Sequence, residues 1–284
     1  MGIFDGCLLA CDIDGTLLFD KTLPERNIDR INRFVREGGA FSLATGRTSQ
    51  ALIDVTSKIK CIAPSALSNG CVLFDFEKQK PISEKLLSKK SLHMVADVVE
   101  TLKIGVEMHA ASVVYVPSRS AASDLHEQYE SMQAEFVDVQ RAIEKRINKV
   151  IYFIENKKQE EQLLKLSEKY KGECVFYRTS TFIGGVKQSY LEQIPFGVSK
   201  AGALIELCKI LNVKKGGFFA IGDYYNDVEM ITAADIGAVP ANSPEDIKKQ
   251  ASVVVGHAAD GAVADFIEYL EGIFENGQTN QIKP

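Results

Sequence analysis

The feature that most constrains this chain is a rhythm of short apolar runs, each cut off by acidic, hydroxyl or glycine residues. Gly6-Cys7-Leu8-Leu9-Ala10-Cys11 stops at Asp12, and Ala40-Phe41-Ser42-Leu43-Ala44 stops at Thr45-Gly46-Arg47. Between them Ile28, Ile31, Phe34 and Val35 recur at helical spacing, with Pro24 near the start and Gly38-Gly39 at the close. A helical stretch from Thr48 to Lys60 and a strand ending in Ala66-Leu67-Ser68-Asn69-Gly70 continue the series. The rhythm returns late. A helix from Lys200 to Leu211 leads to the strand Gly217-Phe218-Phe219-Ala220-Ile221, which ends at Gly222-Asp223. A helix from Asn226, a strand over Ile236 to Val239, a last strand near Ser252 to Val255 and a helix from Ala262 to Glu275 follow. Apolar strands alternating with helices predict an α/β fold: a Rossmann-like parallel sheet with helices on both faces.

The middle of the chain breaks the pattern. Val106 to Ala110 and Ser112 to Pro117 read as a hairpin, flanked by helical stretches over Leu86 to Leu102 and Ala122 to Met132. Asn148 to Glu155 reads as a strand, Gln159 to Tyr170 as a helix, and Cys174 to Thr179 and Phe182 to Val186 as further strands. The expectation is a core formed by residues 1–82 and 190–284, with an α/β cap domain inserted as residues 83–189. The tail, Asn276 to Pro284, is polar and is expected to fray.

The net charge of −5 and the lack of a Lys/Arg block argue against a nucleic-acid binder. No apolar run approaches the ~18 residues of a membrane span, so no membrane partner is expected. The start, Met1-Gly2-Ile3-Phe4-Asp5-Gly6, lacks the basic and apolar regions of an export signal, and a cytoplasmic location is expected. The six cysteines (Cys7, Cys11, Cys61, Cys71, Cys174, Cys208) then read as reduced core residues. His93, His109, His126 and His257 are spread along the chain without clustering and read as structural or surface residues.

In an open parallel sheet, function gathers beyond the carboxyl ends of the strands. Those ends carry Asp12, Asp14, Gly15 and Thr16, then Thr45, Gly46 and Arg47, then Asn69 and Gly70, then Gly222, Asp223, Asn226 and Asp227. Four converging carboxylates raise one another's pKa values. A divalent cation removes that conflict, and an all-oxygen donor set favours Mg²⁺. With the cation in place, one aspartate can stay ionised and attack phosphorus, while its neighbour two residues on holds a proton for the leaving oxygen.

Asp12-Ile13-Asp14-Gly15-Thr16-Leu17 resembles the first motif of the haloacid dehalogenase superfamily. Ala44-Thr45-Gly46-Arg47 resembles the second motif as found in its Cof-type, sugar-phosphatase-like branch. Gly197-Val198-Ser199-Lys200 is similar to the third and Gly222-Asp223-Tyr224-Tyr225-Asn226-Asp227 to the fourth, while Ser68-Asn69-Gly70 also recurs in that branch. The insert between motifs two and three matches the position of the branch's large α/β cap. The resemblance implies a phosphatase with Asp12 as the nucleophile and Asp14 as the general acid and base. It implies Mg²⁺ held by Asp12, Asp223 and the backbone carbonyl of Asp14, with Asp227 supporting the metal shell. It implies phosphoryl binding by Thr45, Gly46, Lys200 and Asn226 and by the backbone N–H groups of Gly15 and Thr16. A small phosphorylated metabolite, such as a sugar phosphate, is the implied substrate.

Several positions keep two readings. Arg47 is a substrate contact or a structural ion-pair residue. Asn69 contacts substrate or supplies a left-handed turn before Gly70. Asn242 stands where the branch carries an asparagine near the phosphate, but Pro240 departs from the usual run there. Tyr224 and Tyr225 line the entrance or pack. In the insert, His109, Tyr115, Arg119, Arg178 and Lys187 are candidates for substrate selection, and nothing in the sequence ranks them. A phosphomutase and a non-catalytic sensor of phosphorylated ligands remain as alternatives.

Overall fold

The computed structural model describes residues 2–59, 62–183 and 186–275. Cys61 and the tail 276–284 lie outside the described residues. In chain order the strands are β1 (Leu8–Cys11), β2 (Ala40–Leu43), β3 (Ser65–Leu67), β4 (Val72–Asp75), β5 (Lys80–Glu84), β6 (Val106–His109) and β7 (Val114–Ser118). They continue with β8 (Ala134–Phe136), β9 (Lys149–Ile154), β10 (Cys174–Ile183), β11 (Val186–Pro195), β12 (Phe218–Ile221), β13 (Ile236–Pro240) and β14 (Val253–Val255). The helices are α1 (Glu25–Arg36), α2 (Ile53–Lys58), α3 (Lys89–Thr101), α4 (Ala121–Tyr129) and α5 (Val139–Ala142). After these come α6 (Lys157–Ser167), α7 (Lys200–Ile210), α8 (Val228–Ala233), α9 (Glu245–Lys248) and α10 (Ala262–Glu275). Among the described residues, no helix is long and apolar enough to cross a membrane.

The chain divides into two compact units. The first comprises residues 1–46, 53–82 and 199–284, and is built on a parallel sheet in the order β14-β13-β12-β1-β2. β1 and β12 are buried along their whole length, as a strand covered on both faces must be. Leu8, Ala10, Phe218 and Ala220 face Ala203, Leu204 and Leu207 of α7 and Met230 of α8. On the opposite face Phe219 meets Phe274 of α10, which also packs on Phe4. Along α1 and α10, Arg30 pairs with Glu268 at 2.8 Å and Arg33 with Glu271 at 3.0 Å.

The third strand of the expected series joins the parallel sheet only through single bridges, Phe41 to Ile62 and Ala44 to Ala66. Pro64 has no N–H for a ladder. The side chains fill in: Ser42 Oγ donates to Pro64 O at 2.9 Å, and Ser65 Oγ accepts from Leu43 N–H at 3.0 Å. The full ladder of β3 is antiparallel, to β4. The helix expected from Thr48 to Lys60 is likewise shorter, a 3₁₀ turn over Gln50–Leu52 followed by α2.

The second unit comprises residues 47–52 and 83–198. Its sheet runs β10-β11-β9-β6-β7-β8, antiparallel except for β7 with β8. The boundary expected at 189/190 falls inside β11, because β10 and β11 form one hairpin paired from Cys174–Pro195 to Ile183–Val186. Residues 47–52 belong here through Ser49 Oγ, which donates to Ala111 O at 3.2 Å, and Gln50 Nε2, which donates to Ser112 O at 2.7 Å.

Side chains alternate across this sheet. Val106, Met108, Val150, Tyr152 and Leu191 form an apolar core with Leu92, Val95 and Val98 of α3. The intervening positions carry Glu107, His109, Lys149, Tyr190 and Glu192, all buried. His109 Nε2 lies 3.0 Å from Glu107 Oε2, and His126 Nδ1 of α4 lies 3.1 Å from Glu107 Oε1. Two of the four histidines therefore cluster, contrary to the expectation from sequence. Alternation places Glu107 and His109 on one face, and only the docking of α4 adds His126.

Candidate active site

Backbone register gathers the predicted residues of the first unit. The Asp12 N–H donates to Ile221 O of β12 at 2.9 Å, which sets Asp12 at the carboxyl end of β1 beside the turn after β12. Thr45 N–H donates to Ala66 O, and Asn69 N–H donates to Thr45 O, each at 2.9 Å. These bonds bring the ends of β2 and β3 to the same rim. Ser68, Asn69 and Gly70 all have left-handed φ angles, of 51°, 58° and 92°. Glycine is required at the third, since a methyl there would overlap the Ser199 carbonyl. The turn so packs against the start of α7, where Ser199 Oγ caps the helix by accepting from Gly202 N–H at 3.1 Å.

Lys200 opens α7 and is buried. Its Nζ donates to Asp12 Oδ1 at 2.7 Å and to Asp227 Oδ1 at 2.6 Å. Asp227 Oδ2 accepts the N–H groups of Asp223 and Tyr224, both at 3.2 Å, so each of its oxygens is engaged. Thr16 Oγ1 donates to Asp223 Oδ1 at 3.4 Å. Gly15, with φ of 81°, packs so closely on Asp223 that any side chain would overlap that carboxylate.

Carboxylate oxygens of Asp12, Asp223 and Asp227 lie within 4.8 Å of one another. Burial and then the Asp227 charge push Asp12 well above the usual carboxylate range, with Lys200 acting in the opposite sense. Burial and Asp227 push Asp223 up to about 7. Burial alone would pull the Lys200 ammonium down, but Asp12 and Asp227 more than offset it and the net shift is upward. Ionised together, the three carboxylates would exceed the one ammonium by two negative charges, and burial together with that repulsion is what raises Asp12 and Asp223. A divalent cation with all-oxygen coordination balances that charge, so the residues fit Mg²⁺. Asp12 and Asp223 would hold such an ion, while both oxygens of Asp227 are engaged by Lys200 and by the Asp223 and Tyr224 N–H groups.

Asp14, unlike Asp12, is exposed, and its carboxylate is not in this cluster. One residue pair thus offers a buried, cation-paired carboxylate and a solvent-facing one, as separate nucleophile and acid/base roles require. Gly15 N–H donates to Leu18 O at 2.9 Å and Thr16 N–H to Ile13 O at 3.3 Å. Both donors implied for the phosphoryl group are therefore consumed by the turn itself. The Ile13 N–H, next to Asp12, has no acceptor among the described residues and is not used by the turn. Residue type carries no signal for this.

Thr45 is buried, and the Asn69 amide lies over Gly46, where an added methyl would sit 3.1 Å from Asn69 Oδ1. Asn226 is exposed, with no side-chain bond to the cluster. Asn242 Nδ2 donates to Gly15 O at 2.8 Å, and its Oδ1 accepts from Ala258 N–H at 3.0 Å. Pro240 is the last residue of β13, opposite Val255. Tyr224 and Tyr225 are exposed and edge-to-face at 4.9 Å, and Tyr225 also donates to Asp246 at 3.4 Å. Arg47 lies in the second unit, 3.7 Å from Glu130 Oε2.

Residues 9–267 match the family model described as haloacid dehalogenase-like hydrolase. Phosphatase YwpJ of Bacillus subtilis is 24% identical over 93% of this chain and 99% of its own length. HMP-PP phosphatase of Cronobacter sakazakii is 24% identical over 92% of this chain and 94% of its own. Among solved structures, a haloacid dehalogenase-like hydrolase from Bacteroides thetaiotaomicron superposes with a TM-score of 0.83 at 21% identity, covering 93% of this chain and 99% of that one. A sugar phosphatase of HAD subclass IIB superposes with a TM-score of 0.77 at 18% identity, over 93% and 99% of the two chains.

Proposed function

The chain belongs to the haloacid dehalogenase-like hydrolases, and from that premise we propose that it is a Mg²⁺-dependent phosphatase acting on a small phosphorylated metabolite through an aspartyl-phosphate on Asp12. The observation that carries the reading is the buried Asp12 carboxylate, 2.7 Å from Lys200 in a cluster with Asp223 and Asp227.

Asp12 attacks phosphorus in line with the ester oxygen, and that oxygen leaves with a proton from Asp14. Asp14 then takes a proton from water, which attacks the phosphoryl group and frees Asp12. Lys200 holds the Asp12 carboxylate in one orientation and supplies positive charge beside it. Thr45 and the Ile13 N–H are the neutral donors assigned to the phosphoryl oxygens. Asp12 and Asp223 would hold Mg²⁺, which would supply positive charge to balance the transferring group and to favour the ionised form of Asp12. Named relatives that are phosphatases, one of them a sugar phosphatase among the structural neighbours, support the choice of phosphate esters as substrates.

Release of inorganic phosphate from an aryl phosphate tests the reading. Hydrolysis is expected with Mg²⁺ and without any sugar bisphosphate, and it should stop in excess chelator and return when Mg²⁺ is restored. Full activity in chelator would sink the metal assignment. A strict need for a bisphosphate activator would favour a mutase.

A further inference from the structure

Two asparagine side chains, 215 positions apart by number (242 − 27), hold the turn after β1 in the same way. Asn242 donates through Nδ2 to Gly15 O at 2.8 Å while its Oδ1 accepts from Ala258 N–H at 3.0 Å. Asn27, fully buried in α1, donates through Nδ2 to Leu17 O at 3.2 Å while its Oδ1 accepts from Ala264 N–H at 2.9 Å. Each amide has a carbonyl at one end and an N–H at the other, so its orientation is fixed by its partners. Each oxygen is occupied by a backbone donor near the start of the C-terminal helical segment, and each nitrogen reaches the Asp12–Leu18 turn. Within that turn Gly15, Thr16 and Leu18 spend their own N–H groups on Leu18 and Ile13 carbonyls.

We propose that Asn242 and Asn27 are positioning residues for phosphoryl transfer, pinning the Gly15 and Leu17 carbonyls so that Asp14 is held in register with Asp12. The proposal rests on the phosphatase reading above. The peptide that Asn242 grips, Gly15–Thr16, also carries the Thr16 hydroxyl that contacts Asp223. Release of that peptide would let the turn rotate and carry Asp14 away from the leaving oxygen. Asn242 then acts through Gly15 and not by touching substrate, which replaces the reading of it as a substrate contact. Asn27 was not identified from sequence at all. Its signal is a polar residue on the buried face of α1, next to Ile28 and four residues before Ile31.

The variants that test this are Asn242→Asp and Asn27→Asp. Each keeps an oxygen for the Ala258 or Ala264 N–H and replaces the donor to the turn by a second oxygen, which carries a charge when ionised. The kcat for an aryl phosphate is expected to fall about tenfold or more, while KM and the inhibition constant of orthophosphate move less than about twofold. Amide hydrogen exchange at Gly15 and Leu18, measured on metal-free protein without substrate, is expected to quicken about tenfold. That readout stands whether or not the protein turns over phosphate esters, so it separates failure of this proposal from failure of the proposed function. Asn242→Ala, which adds no charge, gives the same split. A rise in KM with kcat preserved would mean that Asn242 touches substrate. That result, unchanged exchange at Gly15 and Leu18, or a split confined to the aspartate variants would overturn the proposal.

Discussion

The Lys200 ammonium stands 2.7 Å from the Asp12 carboxylate, with only 2% and 9% of the two side chains exposed. Removing one partner of such a pair leaves a buried charge without compensation. Lys200→Met is expected to cost about 3–5 kcal/mol of stability and about 10²–10³ in kcat. Mg²⁺ should recover part of the stability, because it supplies the positive charge that Met cannot. Thermal melts with and without Mg²⁺ check this. A variant as stable as the parent in chelator would show that Lys200 does not balance the cluster.

Gly70→Ala attacks the same lysine from outside. Gly70 has φ of 92°, and a methyl there would overlap Ser199 O and lie 3.0 Å from Lys200 N. The start of α7 must shift to admit it. A loss of about 1–3 kcal/mol is expected, combining left-handed strain with the displacement. Urea unfolding gives the stability, and kcat should fall with it although residue 70 carries no chemistry.

Much of this site was legible because strand ends are legible. Apolar runs stopping at Asp12, Thr45 and Gly222-Asp223 told where β1, β2 and β12 end, and a parallel sheet puts those ends on one rim. Lys200 was readable as the first residue of an expected helix and the lysine of the run that resembles the third motif. What stayed hidden depends on who bonds to whom in three dimensions. The N–H groups of Gly15 and Thr16 close their own turn, which residue type does not reveal. The Asn242 amide is divided between Gly15 and Ala258, which are 227 and 16 residues away. Pro64 interrupts the ladder of β3, yet the Ser42 and Ser65 hydroxyls keep Thr45 in register all the same. The Glu107 cluster needed α4 to bring His126 onto the sheet.

That cluster predicts an acid limb. Burial alone would raise the Glu107 carboxyl, but His126 and His109 reverse the effect and hold it down to about 2. A depressed carboxylate contributes stability above its ordinary value of 4.5, and the contribution is lost as pH falls from there toward 2. The amount is roughly 3 kcal/mol at most. His126 is shifted upward despite its burial, chiefly by the Glu107 charge, so its contribution is complete below the ordinary 6.5 and fades as pH rises past the raised value. Glu107→Gln should therefore lower stability near neutral pH and flatten its decline between about pH 4.5 and 3. Urea midpoints across that range measure it. Parallel curves for the two proteins would remove Glu107 as the source.

The central claim is that Asp12 carries the phosphoryl group, and trapping that group tests it most directly. A reaction with a radiolabelled phosphate ester and Mg²⁺, quenched in acid within the first turnover, is digested and its peptides mapped. The account predicts a hydroxylamine-sensitive label on the peptide containing Asp12, more of it in Asp14→Asn and none in Asp12→Asn. Hydrolysis by Asp12→Asn at the parent rate, or label on a different residue, would contradict it.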